Sequence, residues 1–285
     1  MNNKYILLVA LILLIILVLI LVYLSQSLKR TFKKELHKAF ELNPAEKNIL
    51  TNDDLKHLPE PVQKYLNYVG VVGKEKVANV KVVADMEMKL DPNSNWQKNH
   101  VEQYNFFGDH LTRLFYLSLK MFGIPVIGLH SYTDEKARML IKLAGIIPVV
   151  DVNGPETRIS DTLTLLNDMC LFAPATLIDE RIQWKPIDDL SVKAIFNTKH
   201  CQVSAVLYFN NQGELINFIT NERYYLMPDG TSKKFRWSTP LKNYQELNGL
   251  RLATFGEAIW DLPEGDYCYF KFDGIKEIVY NNKQK

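Results

Sequence analysis

The histidines and cysteines of this 285-residue chain are the side chains best suited to hold a metal ion, and their spacing is unfavourable for one. No H-x-x-x-H or H-E-x-x-H motif occurs. His200 and Cys201 are adjacent, but neighbouring strand residues point to opposite faces and cannot easily share an ion. The sequence therefore predicts no metal site; the remaining histidines are His37, His57, His100, His110 and His130.

Motifs for nucleotide binding and for nucleophilic catalysis are also missing. The chain has neither G-x-S-x-G nor G-x-G-x-x-G. Gly123 and Gly128 have the spacing of the two ends of a P-loop, but Leu129 stands where lysine is required. We therefore expect no catalytic residue and no cofactor.

Four carboxylates surround one predicted helix, and they admit two interpretations. A pair of them could serve as acid and base, as in glycosidases. Alternatively, the carboxylate of Glu156 stabilises the first turn of the helix through the helix dipole, and Asp161 and Asp168 lie on one solvated face of the helix. We favour the second interpretation and keep an enzyme that uses the region from Asp151 to Asp168 as the alternative function.

An unbroken apolar run near the N-terminus predicts a membrane anchor. The run from Tyr5 to Leu24 has twenty residues, enough for a helix to cross the ~30 Å hydrocarbon core of a bilayer. A cleaved signal peptide is the rival, with Ser25-Gln26-Ser27 as a loose cleavage site, but signal h-regions are shorter. We expect residues 1–27 to be an uncleaved, single-pass anchor.

Charge is distributed unevenly along the chain. Residues 1–40 hold six of the 34 Lys and Arg but one of the 32 acids, which leaves 28 basic and 31 acidic residues after them. That remainder has no basic excess with which to bind a nucleic-acid backbone. By the positive-inside rule, the basic cluster after the apolar run predicts that the domain faces the cytoplasm; its members are Lys29, Arg30, Lys33, Lys34 and Lys38.

The spacing of apolar residues divides the rest of the chain into a helical segment and a β-rich segment. Residues 28–57 are predicted to form a basic juxtamembrane helix and a linker, which would lie on the membrane or act as a stalk. From about residue 77 the period is two, as in half-buried antiparallel strands, and we expect nine to eleven of them. One helix, opened by Gly154-Pro155, interrupts the strands. Residues 58–285 are thus predicted to be one β-rich domain.

From Leu58 onward the sequence resembles a bacterial family of unknown function, of the DUF6544/DUF6920 kind. The residues that carry the resemblance include Leu58-Pro59-Glu60-Pro61-Val62, Ile147-Pro148-Val149-Val150-Asp151, Trp184 with Pro186, and Tyr244 with Gly249, Gly256 and Trp260. That family in turn is similar to the lipoprotein-carrier fold of the LolA/LolB type. The resemblance implies a strongly curved antiparallel sheet, an unclosed barrel, around an internal helix. It also implies a cavity for acyl chains and a site of action outside the cytoplasm, opposite to the charge distribution.

One helix of about sixteen residues is short for the concavity of such a sheet. We therefore expect an apolar cavity beside it, because apolar pockets with few polar groups bind apolar ligands; any single aromatic residue could equally be ordinary core. The predicted lining is Leu163, Leu166, Met169, Phe172, Trp184, Trp237 and Trp260.

These observations favour a membrane-tethered, non-enzymatic module that binds a lipid or another apolar molecule. Its partners would be the bilayer and that ligand. The alternatives are the membrane-associated enzyme described above and a purely structural or partner-binding domain. A large apolar cavity would favour the binding module, and a packed interior would favour the structural domain.

Overall fold

The computed structural model describes residues 3–44, 47–227 and 229–283. In these ranges the helices are α1 (Asn3–Ser25), α2 (Ser27–Leu42), α3 (Glu60–Val69) and α4 (Pro155–Leu171), with short 3-10 helices at Asp53–Leu55 and Pro174–Ile178. The strands are β1 (Asn79–Met88), β2 (Gln97–Phe106), β3 (Thr112–Met121), β4 (Ile124–Thr133), β5 (Ala137–Leu143), β6 (Ile147–Asn153), β7 (Ile182–Asp188), β8 (Ser191–Asn197), β9 (Gln202–Phe209), β10 (Leu215–Leu226), β11 (Ser232–Ser238), β12 (Leu241–Leu247), β13 (Leu250–Leu262), β14 (Gly265–Asp273) and β15 (Glu277–Tyr280).

The strands form one antiparallel, unclosed sheet in the order β6-β5-β4-β3-β2-β1-β14-β13-β11-β10-β9-β8-β7, while β12 pairs with β13 and β15 with β1. The fold class predicted from the sequence is confirmed. Pro148 and Pro186 lie in the edge strands β6 and β7, where the missing N–H discourages pairing with another chain.

The described residues contain more strands than the sequence predicted, fifteen against nine to eleven. In β1 the inward positions are apolar, and Val80 and Val82 are fully buried, as the alternation predicts. In β2 several inward positions are polar instead, and Gln103 and Asn105 are buried. When the inward positions of a strand are polar, its sequence shows no alternation of apolar and polar residues. Such a strand is therefore not predicted from that alternation.

Helix α4 lies in the concavity of the sheet and begins at Pro155, as predicted. The sheet surrounds the helix, so its polar side is buried as well as its apolar side. Asp161 and Asp168 are 1% and 4% exposed. The prediction that these two carboxylates share a solvated face is therefore wrong; Asp168 pairs with Arg113 of the sheet, and Asp161 lies beside His130.

Two tyrosines hold the C-terminal end of α4. The hydroxyl of Tyr65 in α3 donates to the carbonyl of Cys170, and the hydroxyl of Tyr280 in β15 donates to the carbonyl of Phe172, at 2.7 and 2.8 Å. These bonds satisfy carbonyls that the end of a helix leaves free. Burial raises the pKa of both tyrosines and of the Cys170 thiol.

Helices α1 and α2 differ in their surroundings. Every apolar side chain of α1 is exposed, and in the described part of the chain it is the one helix long and apolar enough to cross a membrane. Helix α2 lies against the convex side of the sheet, where Leu28, Phe32 and Ala39 are buried. Its apolar stripe, which the sequence assigned to a membrane surface or a stalk, thus packs on β2, β3 and β4.

The connections between strands lie at two opposite ends of the sheet. One end carries the connections between β1 and β2, β3 and β4, β5 and β6, β10 and β11, and β13 and β14. We call it the hairpin end. The other end, the far end, carries Gly108, which contacts Asn43 after the end of α2.

Candidate ligand cavity

A cavity of about 210 Å³ lies between α4 and the concave face of the sheet. Its apolar wall includes Met86, Phe115, Leu117, Leu171, Phe172 and Phe272. The volume exceeds that of the ~150 Å³ apolar cavity known to take up benzene, and it is below the ~300 Å³ of the smallest drug-sized pockets. A single hydrocarbon chain fits this size better than a bulky ligand.

One side of the cavity is a polar wall centred on Asp168. Its Oδ2 accepts hydrogen bonds from Arg113 Nε at 2.7 Å, from Gln103 Nε2 at 2.8 Å and from Asn105 Nδ2 at 3.1 Å. Beside it, Asn167 Nδ2 donates to Thr239 Oγ1 at 2.8 Å, and Thr239 also lines the cavity. A buried carboxylate with three donors is a satisfied network, so this wall is structural in character.

Arg223 of β10 supplies a different kind of polar group to the cavity. Its Nη1 donates to the carbonyl of Ser160 at 2.9 Å and to the hydroxyl of Thr164, and its Cζ lies 4.4 Å from the ring centroid of Trp237. Its Nε is buried without a hydrogen-bond partner. Across the described residues, no carboxylate lies within ion-pair distance of this guanidinium.

The cavity is closed where β2 and β11 approach the far end, and it opens towards the hairpin end. Gln103 and Trp237, in the far halves of their strands, are 2% and 3% exposed. Met88, Ile141 and Arg223 lie in the halves next to the hairpin end and are partly exposed. We call these three residues the mouth. The opening also extends down along β5 and β4, where Met139 and His130 are partly exposed.

The predicted lining residues occupy three kinds of position. Phe172 and Trp237 line the cavity. Trp260 is buried behind it, 5.3 Å from the ring of Tyr225, and Trp184 lies in the edge strand β7, away from the cavity. A single sequence does not distinguish the face of α4 that meets the cavity from the faces that meet solid core. Leu163, Leu166 and Met169 are fully buried on the core side.

The polar residues of the site are not among those that the sequence predicts. Gln103, Arg113 and Arg223 lie in β2, β3 and β10, for which the sequence predicts no polar inward face. One signal was available in β2, where Asn99, Val101, Gln103 and Asn105 recur with period two around an apolar residue. Arg223 has no local signal, since its contacts with α4 are about sixty residues apart in sequence.

The four carboxylates of the enzyme hypothesis do not converge. Asp151 is exposed and paired with Arg138 at 2.7 Å, and that contact lowers the pKa of Asp151. Asp161 Oδ2 lies 2.8 Å from Nε2 of His130, without the alignment of a hydrogen bond. Asp168 belongs to the polar wall, and Glu156 is exposed in the first turn of α4.

Metal-binding geometry is also missing from the described ranges. No three His, Cys, Asp or Glu side chains within them are grouped so that they could hold an ion.

Burial raises the pKa of the Cys268 thiol to about 11, with Glu257 adding to the effect. This thiol is therefore mostly protonated near neutral pH and is a poor nucleophile.

Three solved structures are similar to this chain in fold. The first is provisionally named an outer membrane lipoprotein-sorting protein domain, from Vibrio parahaemolyticus, with TM-score 0.43, 9% identity, and 73% of this chain and 87% of that chain covered. The second is a LolA superfamily protein from Nitrosomonas europaea, with TM-score 0.40, 10% identity, and 78% and 94% covered. The third is a DUF1329 family protein from Desulfovibrio piger, with TM-score 0.40, 12% identity, and 79% and 93% covered.

Sequence comparison identifies the family. No curated protein matches the chain. One family model does match, and it extends from before α3 to the end of β14, which includes the whole cavity. Because the match covers residues 48–272, the chain belongs to the DUF6544 family, a family of unknown function.

Proposed function

We propose that the chain is a membrane-tethered, non-enzymatic module that binds a lipid in the cavity beside α4. The observation that carries the proposal is the cavity itself, about 210 Å³ in volume and lined mainly by aliphatic and aromatic side chains. A mainly apolar space of that size is large enough to accept hydrocarbon. A purely structural domain would be expected to fill it, because interiors pack to the density of organic crystals.

The lipid is expected to have a polar end as well as a chain. Arg223 lies at the mouth. Its partly desolvated guanidinium has no anionic partner among the described residues, and Trp237 covers one of its faces. An acidic group on the ligand would supply the missing charge partner, since guanidinium and carboxylate or phosphate form strong charge-assisted hydrogen bonds. The hydrocarbon chain of the bound lipid would then extend along Phe115 and Leu117.

The tether is α1. From Tyr5 to Leu24 its side chains are apolar on every face and none is buried in the domain, which is the expected state of a helix surrounded by lipid. The basic residues that begin α2 follow directly, so the positive-inside rule favours a cytoplasmic domain. Labelling of Gln212→Cys with an impermeant maleimide in intact cells, with Cys201 and Cys268 replaced by serine, tests on which side the domain lies. Labelling before lysis would place the domain outside the cytoplasm.

The experiment for ligand binding is native mass spectrometry of the full chain purified from its own cells. A steroid-based detergent is required, because its rigid ring system is too large for the cavity while alkyl detergents would occupy it. We expect a bound species at the mass of an acyl lipid. A protein with no adduct that also fails to bind added palmitate would contradict the proposal and favour a structural or partner-binding domain.

A further inference from the structure

Helix α1 leaves the domain at the hairpin end. The turn between β5 and β6 touches the last residue of α1 so closely that a Cβ on Gly145 would lie 2.2 Å from the carbonyl oxygen of Ser25. Next to it, Lys142 Nζ donates to Ser27 Oγ at 3.0 Å. Since a helix of 23 residues rises about 34 Å, its end at Ser25 falls at the boundary between hydrocarbon and headgroups if α1 spans a bilayer.

The neighbouring hairpin carries an unusually exposed aromatic residue. Phe122 occupies the turn between β3 and β4 with 98% of its surface exposed. Its φ is +51°, a conformation that bulky residues avoid and that Asn-Gly turns normally supply. Neither packing nor turn chemistry accounts for a phenylalanine there, so its side chain is suited to a contact outside the domain.

This hairpin lies at the same level as the end of α1. The amide of Ala144, in the turn that contacts Ser25, donates to the carbonyl of Pro125 at 2.7 Å. Only two residues, Gly123 and Ile124, separate Pro125 from Phe122. Ile124, Ile147 and Val149 around the two turns are also exposed, by 43%, 57% and 55%.

Basic residues flank this apolar group. Lys120 in β3 and Lys29 and Arg30 at the start of α2 are exposed on the same end of the domain. Lysine and arginine at that position meet phosphate groups, while an aromatic ring between them reaches the acyl boundary. The pattern of an apolar tip with a cationic rim matches a lipid surface better than a protein groove.

We propose that the hairpin end rests on the bilayer in which α1 is anchored, with Phe122 inserted among the lipids, so that the mouth exchanges ligand with that leaflet. The membrane contact rests on the tether in the proposed function, and the exchange of ligand rests on the cavity. Met88 and Ile141 at the mouth lie in the strand halves next to this end. A lipid could therefore move from the leaflet into the cavity without crossing water.

Photo-crosslinking of the full chain in phosphatidylcholine vesicles tests the contact. Benzoylphenylalanine is placed at position 122 and, as a matched control, at position 212, an exposed turn residue of the far end. We expect crosslinks to phospholipid from 122 and at least tenfold fewer from 212. Equal yields at both positions, or crosslinks from 122 to a second copy of the chain, would overturn the proposal.

The variant Phe122→Asp tests the exchange of ligand between the mouth and the leaflet. We expect this variant to extract a fluorescent fatty acid from vesicles at least tenfold more slowly, with unchanged affinity in steroid-based detergent; an unchanged extraction rate would contradict exchange through the leaflet. If the wild type binds no fatty acid in detergent, the proposed ligand fails, whereas the crosslinking result decides the membrane contact by itself.

Discussion

Arg113 Nε donates to Asp168 Oδ2 at 2.7 Å, and both side chains are less than a tenth exposed. The pair joins β3 of the sheet to α4, with Gln103 and Asn105 completing the coordination of the carboxylate. It therefore fixes how far the helix stands from the concave face, and so the width of the cavity.

Removing one member of this pair should be costly. Asp168→Ala leaves the guanidinium of Arg113 buried and uncompensated, and we expect a loss of about 3–5 kcal/mol in the free energy of unfolding. Denaturant titration followed by tryptophan fluorescence measures the loss. The double variant Arg113→Met/Asp168→Leu should recover part of it, because the buried charge is removed while Gln103 and Asn105 lose their acceptor. A loss below about 1 kcal/mol in Asp168→Ala would show that the pair is solvated and does not hold the helix.

Arg223 should determine which lipids bind. A charge-assisted hydrogen bond contributes about 1.5–3 kcal/mol, so Arg223→Gln should weaken palmitate binding by roughly 10- to 100-fold and hexadecanol binding far less. Isothermal titration with both ligands measures the difference. Arg223→Lys keeps the charge and should retain the preference for palmitate. Equal losses for the two ligands in Arg223→Gln would mean that the residue only supports α4 through Ser160 and Thr164.

A chain shortened at its N-terminus should stay soluble only if it keeps α2. A chain that begins at Ser27 keeps α2 on the sheet and should be soluble and monomeric without α1. A chain that begins at Pro44 uncovers Phe106 and Leu114, which α2 otherwise shields, and should aggregate. Size-exclusion chromatography compares the two. If both elute as stable monomers, the contact between α2 and the sheet contributes little to the domain.

Alkaline pH should destabilise the domain. Burial raises the pKa of Tyr65 and Tyr132, among others, while an unfolded tyrosine ionises near pH 10. Above that pH the unfolded chain loses protons that the folded chain keeps, so the free energy of unfolding falls by about 1.4 kcal/mol per pH unit for each such tyrosine. Below pH 10 the same groups contribute no pH dependence.

Denaturant titrations at pH 9, 10 and 11 check this slope. Tyr65→Phe should make it shallower by about one proton, although it loses the bond to the carbonyl of Cys170 at every pH. A slope identical to that of the wild type would show that Tyr65 ionises normally in the folded state.

Local signals in the sequence predicted much of the fold. Gly154-Pro155 marked the start of α4, and Gly70, with φ +83°, ends α3 as a left-handed C-cap. The alternation in β1 predicted which side chains are buried. These features depend on residues close together in the chain, which is why a single sequence is sufficient for them.

Features that depend on distant partners could not be read in this way. The stripe of Phe32, Leu36 and Phe40 shows that α2 has an apolar face, but not whether that face meets a membrane or a sheet. The local sequence predicts a solvated Asp168, because its partners Arg113 and Gln103 lie more than fifty residues away in the chain. The division of α4 into a core side and a cavity side likewise depends on the curvature of the whole sheet.

Binding of a fluorescent fatty acid to the full chain tests the central claim most directly. The wild type is compared in steroid-based detergent with Ile141→Trp, which fills the mouth, and with Ile216→Trp, the same exchange at an exposed position of β10. We predict saturable binding of one probe by the wild type and by Ile216→Trp, and at least tenfold weaker binding by Ile141→Trp, with all three melting within a few degrees. Absence of saturable binding in the wild type, or equal binding by all three proteins, would contradict a lipid site in this cavity.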